Sequence, residues 1–200
     1  MWLLSASISR FCFRISSPTI SMLLPEVNMT MTHQCDSWDA RFFLLCTLLS
    51  SWSEDRSRQV GSVIVGSGNT ILGTGYNGLP RKVSADYEAR HSRENGEKYL
   101  WFEHAERNAI YNMARAGVST VGCRMYVNNF PCADCARAIV QSGIVQLNSF
   151  TPNMMDANFA RHYSVAETML FESGVEVRLF QKEDASLAEA RKRFCTAIEQ

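Results

Sequence analysis

Four side chains in this 200-residue chain could do chemistry together: His104 and Glu106 in His104-Ala105-Glu106, and Cys132 and Cys135 in Pro131-Cys132-Ala133-Asp134-Cys135. A catalytic zinc takes three protein ligands and keeps one position open for water. His104, Cys132 and Cys135 supply that count. Glu106 lies two residues from His104, near enough to the metal to move protons without entering its coordination shell. A C-x-x-C alone also suits a redox pair or half of a structural zinc site. A structural site needs a fourth Cys or His nearby, and the chain has no second C-x-x-C; a redox pair has no use for an upstream His-x-Glu. His104 taken alone is more simply a core histidine with satisfied hydrogen bonds. The joint pattern points instead to hydrolysis, with Zn²⁺ activating a water and Glu106 shuttling its protons.

The elements around these residues must bring them to one point. Arg107 to Phe130 is long enough for a helix, a turn and a strand, so the chain can return to the same metal. Trp38, Phe42, Leu45, Leu49 and Trp52 recur at helical spacing and predict an amphipathic helix with one buried stripe, with Cys46 beside it. Val60–Val65 and Thr70–Tyr76 read as strands joined by the turn Gly66-Ser67-Gly68-Asn69, hence a hairpin. Asn77 to Glu103 is a long polar and basic loop, a length that inside compact domains usually means function or disorder. Helices are expected over 104–116, 132–142, 157–173 and 185–198, and strands over 124–128, 145–150 and 175–179. A hairpin followed by alternating helices and strands implies an α/β fold, a mixed sheet flanked by helices. His104 and the cysteine pair each open a helix, where the positive helix end favours thiolate over thiol.

Composition sets further bounds. A hydrophobic content of 46% fits one α/β domain with short appendages. The formal net charge is zero, which argues against a nucleic acid polymer as partner. Seven cysteines, an odd number without framework spacing, fit a reducing, cytoplasmic setting. No apolar run reaches the length of a membrane span. Residues 1–33 stand apart: Arg10, Arg14, many serines and a single acid, Glu26. They read as disorder, a presequence or a start called too early, with Met29 or Met31 the alternative first residue. The domain expected to carry function is 34–182, with a C-terminal helix over 183–200.

The H-x-E…P-C-x-x-C arrangement is that of zinc nucleobase deaminases, and the surrounding residues resemble the deoxycytidylate (dCMP) deaminase branch of the cytidine deaminase superfamily. The resemblance runs from about Trp38 to Leu179. It rests on Ser53-Glu54-Asp55, Gln59-Val60-Gly61-Ser62-Val63-Ile64-Val65, Gly73-Thr74-Gly75-Tyr76-Asn77-Gly78-Leu79-Pro80-Arg81, His104 to Ile110, and Tyr126 to Ala136. The zinc motif carries the superfamily, and Gly-Tyr-Asn-Gly-Leu-Pro narrows it to the nucleotide branch. The resemblance implies a three-layer α/β/α cytidine-deaminase-like fold with about five strands in a central mixed sheet, a homo-oligomer (hexamer or dimer), and hydrolysis of dCMP to dUMP and ammonia, supplying thymidylate synthesis. It also implies dCTP and dTTP as effectors in some members.

Carried onto this chain, Glu106 takes a proton from water that attacks C4, protonates N3, and passes a proton to the departing ammonia. Ala105 could pack beneath the base or simply fill its helix. Asn77 is a candidate for the sugar, although Asn-Gly is also a strong turn dipeptide. Arg56, Arg58, Arg81, Arg90, Arg93 and Lys98 are available for the phosphate, with Arg90 the first choice. Tyr76, Asn77 and Gly78 are candidates for a regulatory nucleotide site or a gating loop. Some relatives hold a second, structural zinc in the long loop; this loop has His91 and no cysteine, so that site is expected to be missing. The competing readings are another zinc deaminase acting on tRNA adenosine, guanine, cytosine or a nucleoside, and a non-catalytic zinc-stabilised scaffold. The tRNA enzymes typically carry Pro-Cys-x-Met-Cys, unlike Ala133-Asp134 here.

Overall fold

The computed structural model describes residues 32–198. Five strands form one sheet in the order β2-β1-β3-β4-β5. β1 (Gly61–Val65) and β2 (Ile71–Tyr76) make the expected antiparallel hairpin. β1 pairs antiparallel with β3 (Arg124–Val127), which runs parallel to β4 (Gln146–Phe150), itself parallel to β5 (Glu176–Phe180). The sheet is therefore mixed. Period-two alternation divides its side chains between two cores. Ile64, Met125, Val127, Leu147 and Leu179 face a core shared with α3 (Ala105–Ala116), α4 (Ala133–Gln141) and α5 (Ala160–Glu172). Val63, Val65, Tyr126, Phe150 and Phe180 face α1 (Ser37–Ser50) and α6 (Ala185–Ile198). Helices cover both faces, giving three layers.

The stripe on α1 differs from the spacing-based expectation. Phe42, Phe43, Cys46 and Leu49 are buried, whereas Trp38 and Trp52 are exposed. The helix stops at Ser50, so Trp52 lies beyond its last turn, and Trp38 stacks on Phe42 at 5.7 Å. Cys46, expected as a small core residue, is fully buried. Asp36 caps α1 by accepting from the backbone N–H of Trp38 and Asp39. Asp39 is fully used inside: it accepts from Tyr126 Oη (2.7 Å) and from both ends of the Arg178 guanidinium. On α6, Leu187 is buried and Phe194 is exposed, so its contact face is shorter than expected.

Ordered pairing begins slightly before the expected domain start. Thr32 bridges Leu179, and His33 N–H donates to Leu179 O. The remainder of the 1–33 expectation lies outside the described residues. Among the described residues, no helix is long and apolar enough to cross a membrane.

Two close approaches set the site. A Cβ on Gly61 would lie 2.0 Å from Cys46 O, and one on Gly75 would lie 2.4 Å from both Ala105 O and Ala109 N. Gly75 thereby lets the first turn of α3 rest directly on β2. The long 77–103 segment is not featureless: it holds the short helix α2 (Glu97–Trp101). Its ends are pinned by Gly78 N–H to Glu103 O (3.0 Å) and Glu103 N–H to Gly78 O (2.8 Å). The excursion therefore leaves at Asn77 and returns beside His104.

Candidate active site

His104 is the N-cap of α3 and Cys132 the N-cap of α4; neither uses its side chain as a cap. Both side chains are left for other work. His104 Nδ1 lies 3.5 Å from Cys132 Sγ and 3.4 Å from Cys135 Sγ, and the three ligand atoms lie within 4.8 Å of one another. A tetrahedral zinc with Zn–S of about 2.3 Å and Zn–N of about 2.0–2.1 Å separates N from S by about 3.5 Å. The donor set and spacing fit Zn²⁺. Among the described residues, no other His, Cys, Asp or Glu cluster forms such a site.

Electrostatics agree with thiolate ligation. The Cys132 thiol is held down to about 4, chiefly by a hydrogen bond from Cys135, with His104 adding to it. Cys135, more deeply buried, is pushed up by burial and by its neighbour's charge. One proton therefore stays with the cysteine pair until a metal displaces it. Burial works against a charged His104, but its contacts with Cys132 and Glu106 outweigh this and raise it. Glu106 is itself buried, and burial raises its carboxyl above the ordinary range, as suits a group that both takes and gives protons. Glu103 accepts from His104 N–H at 2.9 Å and from Arg107 Nε at 2.5 Å, fixing the entry to α3.

One cavity opens onto these groups. Its lining includes His104, Ala105, Glu106 and Cys132, the aromatic side chains Tyr99, Phe102, Phe130 and Phe159, and the polar groups Asp55, Asn77 and Asn129. Val60, Arg58, Arg93 and Lys98 complete it. Arg58 is clamped by Asp156, by Tyr163 Oη at 3.4 Å, and by the Phe159 ring, 4.5 Å below its guanidinium. Lys98 is buried; its Nζ donates to Asp55 Oδ2 (2.5 Å) and Ser57 Oγ (2.7 Å).

Of the residues named from the sequence, His104, Ala105, Glu106, Cys132 and Asn77 come together on this cavity, with Cys135 behind Cys132. Arg90 does not. Its guanidinium donates to Ser84 O (2.6 Å) and sits 4.3 Å from both the Tyr87 and the Trp101 ring centroids. The first choice among the basic residues is thus committed to bracing the loop, and Arg58, Arg93 and Lys98 take its place at the cavity. Arg56 pairs with Glu88 on the surface.

The Tyr76-Asn77-Gly78 triplet is also divided. Asn77, one residue past β2, is buried on the first cavity, while Tyr76 and Gly78 line a second cavity with Glu54, Leu79, Arg81, Asn108 and Asn112. His91 packs on Phe102 at 5.4 Å, its Nε2 against Ala85 O. Sequence reasoning missed Tyr99, Phe102, Asn129, Phe130 and Phe159 as lining residues, and gave Asp55 no role. Asp55, Asn129 and Phe130 lie in stretches that carry the resemblance, whereas Tyr99, Phe102 and Phe159 carried no local signal.

Comparison with known proteins adds to this geometry. Residues 36–151 match the model for the cytidine and deoxycytidylate deaminase zinc-binding region. The deoxycytidylate deaminase of Homo sapiens is 39% identical over 161 residues, covering 78% of this chain and 87% of that protein. The deoxycytidylate deaminase of Mus musculus is 39% identical over 147 residues, covering 72% and 79%. Among solved structures, the dCMP deaminase of the cyanophage S-TIM5 in apo form superposes with a TM-score of 0.55 at 26% identity, over 70% of this chain and 94% of that one.

Proposed function

The chain belongs to the cytidine and deoxycytidylate deaminase zinc-binding family, and from that premise we propose that it hydrolyses dCMP to dUMP and ammonia. The observation that carries this reading is the single cavity lined by His104 and Cys132 of the metal triad, a buried glutamate and three cations, with Cys135 directly behind. Relatives at 38–39% identity that bear the name deoxycytidylate deaminase support the same substrate.

His104, Cys132 and Cys135 hold the Zn²⁺. Bound there, the metal lowers the pKa of the attacking water to about 7. Glu106 takes the proton released as oxygen bonds to C4 and places it on N3. It then takes the proton of the new C4 hydroxyl and passes it to the amine, so that the C4–N bond breaks, the C4 carbonyl forms and ammonia leaves. Burial suits it to this shuttle, because a carboxyl raised above its ordinary range takes up a proton more readily than an exposed one. Ala105 leaves room for the base beneath the aromatic walls. Asn77 meets the sugar, and Arg58, Arg93 and Lys98 meet the phosphate, where charge-assisted hydrogen bonds are strong.

An ammonia-release screen over dCMP, CMP, cytidine, adenosine and guanine tests the assignment. The expected result is release with dCMP well above the rest. Release from guanine or a free nucleoside at the dCMP level refutes the nucleotide reading. The second cavity, with Tyr76, Gly78 and Arg81 on its wall, is the place we assign to a dCTP or dTTP effector. Exposed Leu48, Trp52 and Tyr76 are the residues we assign to a homo-oligomer contact. Sedimentation of wild type against Trp52→Glu tests the latter: an unchanged sedimentation coefficient removes Trp52 from any such contact.

A further inference from the structure

Two side-chain amides line the cavity, and they differ in what they have left to offer. Asn77 is spent. Its amide hydrogens go to Asp55 Oδ2 (3.0 Å) and Arg58 O (2.8 Å), and its Oδ1 accepts from Val60 N–H (2.7 Å). Asn129 donates from Nδ2 to Phe130 O (3.2 Å), and among the described residues its side chain has no other hydrogen-bond partner. A carbonyl only accepts, so this bond fixes which end of the amide is nitrogen. One N–H and the Oδ1 lone pairs remain for whatever fills the cavity.

Asn129 stands where the chain is firmly held. It lies between the end of β3 at Val127 and Cys132, the N-cap of α4. Asn128 ties this connection to β1: its N–H reaches Gly61 O (3.3 Å), and its Oδ1 accepts from Gly61 N–H (2.9 Å). Phe130 is buried, edge-on to Tyr163 at 5.8 Å. The free amide is thus presented by the same connection that delivers Cys132 to the metal.

The reaction itself decides which edge of the base this connection meets. C4 must face the metal's water and N3 must face Glu106, and C5 lies on the other side of C4 from N3. Glu106 comes from the start of α3. C5 therefore points away from α3, toward the connection that ends at Cys132. An unsubstituted C5–H gives the amide nothing to pair with, whereas a C5 substituent carrying a hydroxyl does.

We propose that Asn129 is a specificity-determining residue for the C5 edge of the pyrimidine, favouring a hydrogen-bonding substituent there over an apolar one of the same size. The inference rests on the reading above that Glu106 serves N3 of a cytosine nucleotide. The chemistry at C4 is unchanged: water adds, ammonia leaves, and a 5-substituted dCMP becomes the matching dUMP with its C5 group intact.

The test measures kcat/KM of zinc-loaded wild type and Asn129→Leu for dCMP, 5-hydroxymethyl-dCMP and 5-ethyl-dCMP. The last two differ only in a hydroxyl against a methyl. Their unequal electronic pull on C4 is the same in both proteins and cancels when the two hydroxymethyl-over-ethyl ratios are divided. One hydrogen bond in a desolvated site is worth about five- to tenfold, so the wild-type ratio is expected to exceed the variant's by that factor. Equal ratios overturn the proposal. So does a wild type that uses dCMP but neither 5-substituted substrate, because C5 then meets a closed wall. If zinc-loaded wild type releases no ammonia from dCMP, the dCMP reading itself falls and takes this inference with it. Zinc content and Tm report the fold of the variant; should Asn129→Leu not hold zinc, Asn129→Ala is read by the same ratio.

Discussion

The two ends of the cavity are built differently. At the metal end, two helix starts bring three ligands within 4.8 Å, each supplied by a motif of five residues or fewer. At the end we assign to the nucleotide, Asp55, Arg58, Asn77, Arg93, Lys98 and Phe159 come from four separate stretches of chain, and most of their charge is already spoken for. Lys98 is neutralised by Asp55 and Arg58 by Asp156. Among the described residues, Arg93 makes no ion pair, and it is exposed at the cavity mouth. Metal coordination demands particular atoms at particular distances, whereas anion binding asks only for charge that is free and correctly aimed. The first requirement is local; the second depends on which partners each cation has already found.

The largest expected effect lies at the metal end. Glu106→Gln keeps the shape of a buried side chain but removes the proton carrier. The turnover number for dCMP should fall by about 10²–10⁴-fold, with zinc content by atomic absorption unchanged. Cys132→Ser should instead purify without stoichiometric zinc. Near wild-type turnover in the Glu106→Gln enzyme would take this residue out of the chemistry and dissolve the contrast between the two ends.

Next comes the hidden carboxylate of the nucleotide end. Removing one partner of a buried ion pair costs about 3–5 kcal/mol, so Asp55→Asn alone should unfold at markedly lower denaturant than wild type. Its pH dependence has a definite sign. Burial pushes the Asp55 carboxyl up, but Lys98, Ser57 and the Arg58 N–H outweigh it, and it sits below the ordinary carboxylate value. The unfolded chain therefore binds this proton first. The stabilisation is complete above pH about 4 and fades as pH falls through the lower folded value. Urea midpoints measured from pH 6 down to pH 3 should fall more steeply for wild type than for Asp55→Asn/Lys98→Met. Zinc loss on acidification is common to both proteins and cancels in the difference; parallel curves would mean that Asp55 carries no folded-state shift.

This contrast also explains what could be read from the sequence. The sheet, its hairpin and five of the six helices follow from periodicity, and each boundary lies within two residues of expectation except the start of α5, which comes three residues later, because apolar alternation and Gly stops are local signals. The metal ligands, and the place of Glu106 beside them on the cavity, were legible for the same reason. Arg90 against Arg93 was not. Both are basic residues in one polar loop, and what separates them is that Tyr87 and Trp101 close around one guanidinium and not the other. Helix α2 was equally hidden, since five residues carry no helical period. Phe130 and Phe159 face the cavity only because the parallel strands bring the start of α5 beside that of α4, a tertiary fact.

A smaller effect sharpens the comparison within the nucleotide end. Arg93→Ala should raise KM for dCMP by about ten- to hundredfold, the worth of a hydrogen bond to a charged group. It should leave kcat and any residual deoxycytidine turnover nearly unchanged. Added salt should narrow the gap between wild type and variant, because an exposed cation acts over a distance that salt screens. Equal losses on dCMP and deoxycytidine would place Arg93 in the fold rather than at the phosphate.

Arg90→Ala is the matching experiment with the smallest expected consequence. Its guanidinium lies between two aromatic rings and against a backbone carbonyl, all within the loop. Cation–π contacts at such partly exposed sites are worth about 0.5–1 kcal/mol each, so the variant should lose on the order of 1 kcal/mol of stability. Because Arg90 lines no part of the cavity, KM for dCMP should stay within about twofold of wild type, less than 1 kcal/mol. The braced loop also carries Lys98, Tyr99 and Phe102 to the cavity, so a modest KM change would be indirect. Arg90→Lys distinguishes the two routes: it restores the charge but not the planar stack. If Arg90→Lys recovers KM without recovering stability, the phosphate senses charge at this position and Arg90 belongs with Arg93 after all. Recovery of neither, with KM unmoved throughout, leaves Arg90 as a brace and Arg93 as the cation the nucleotide meets.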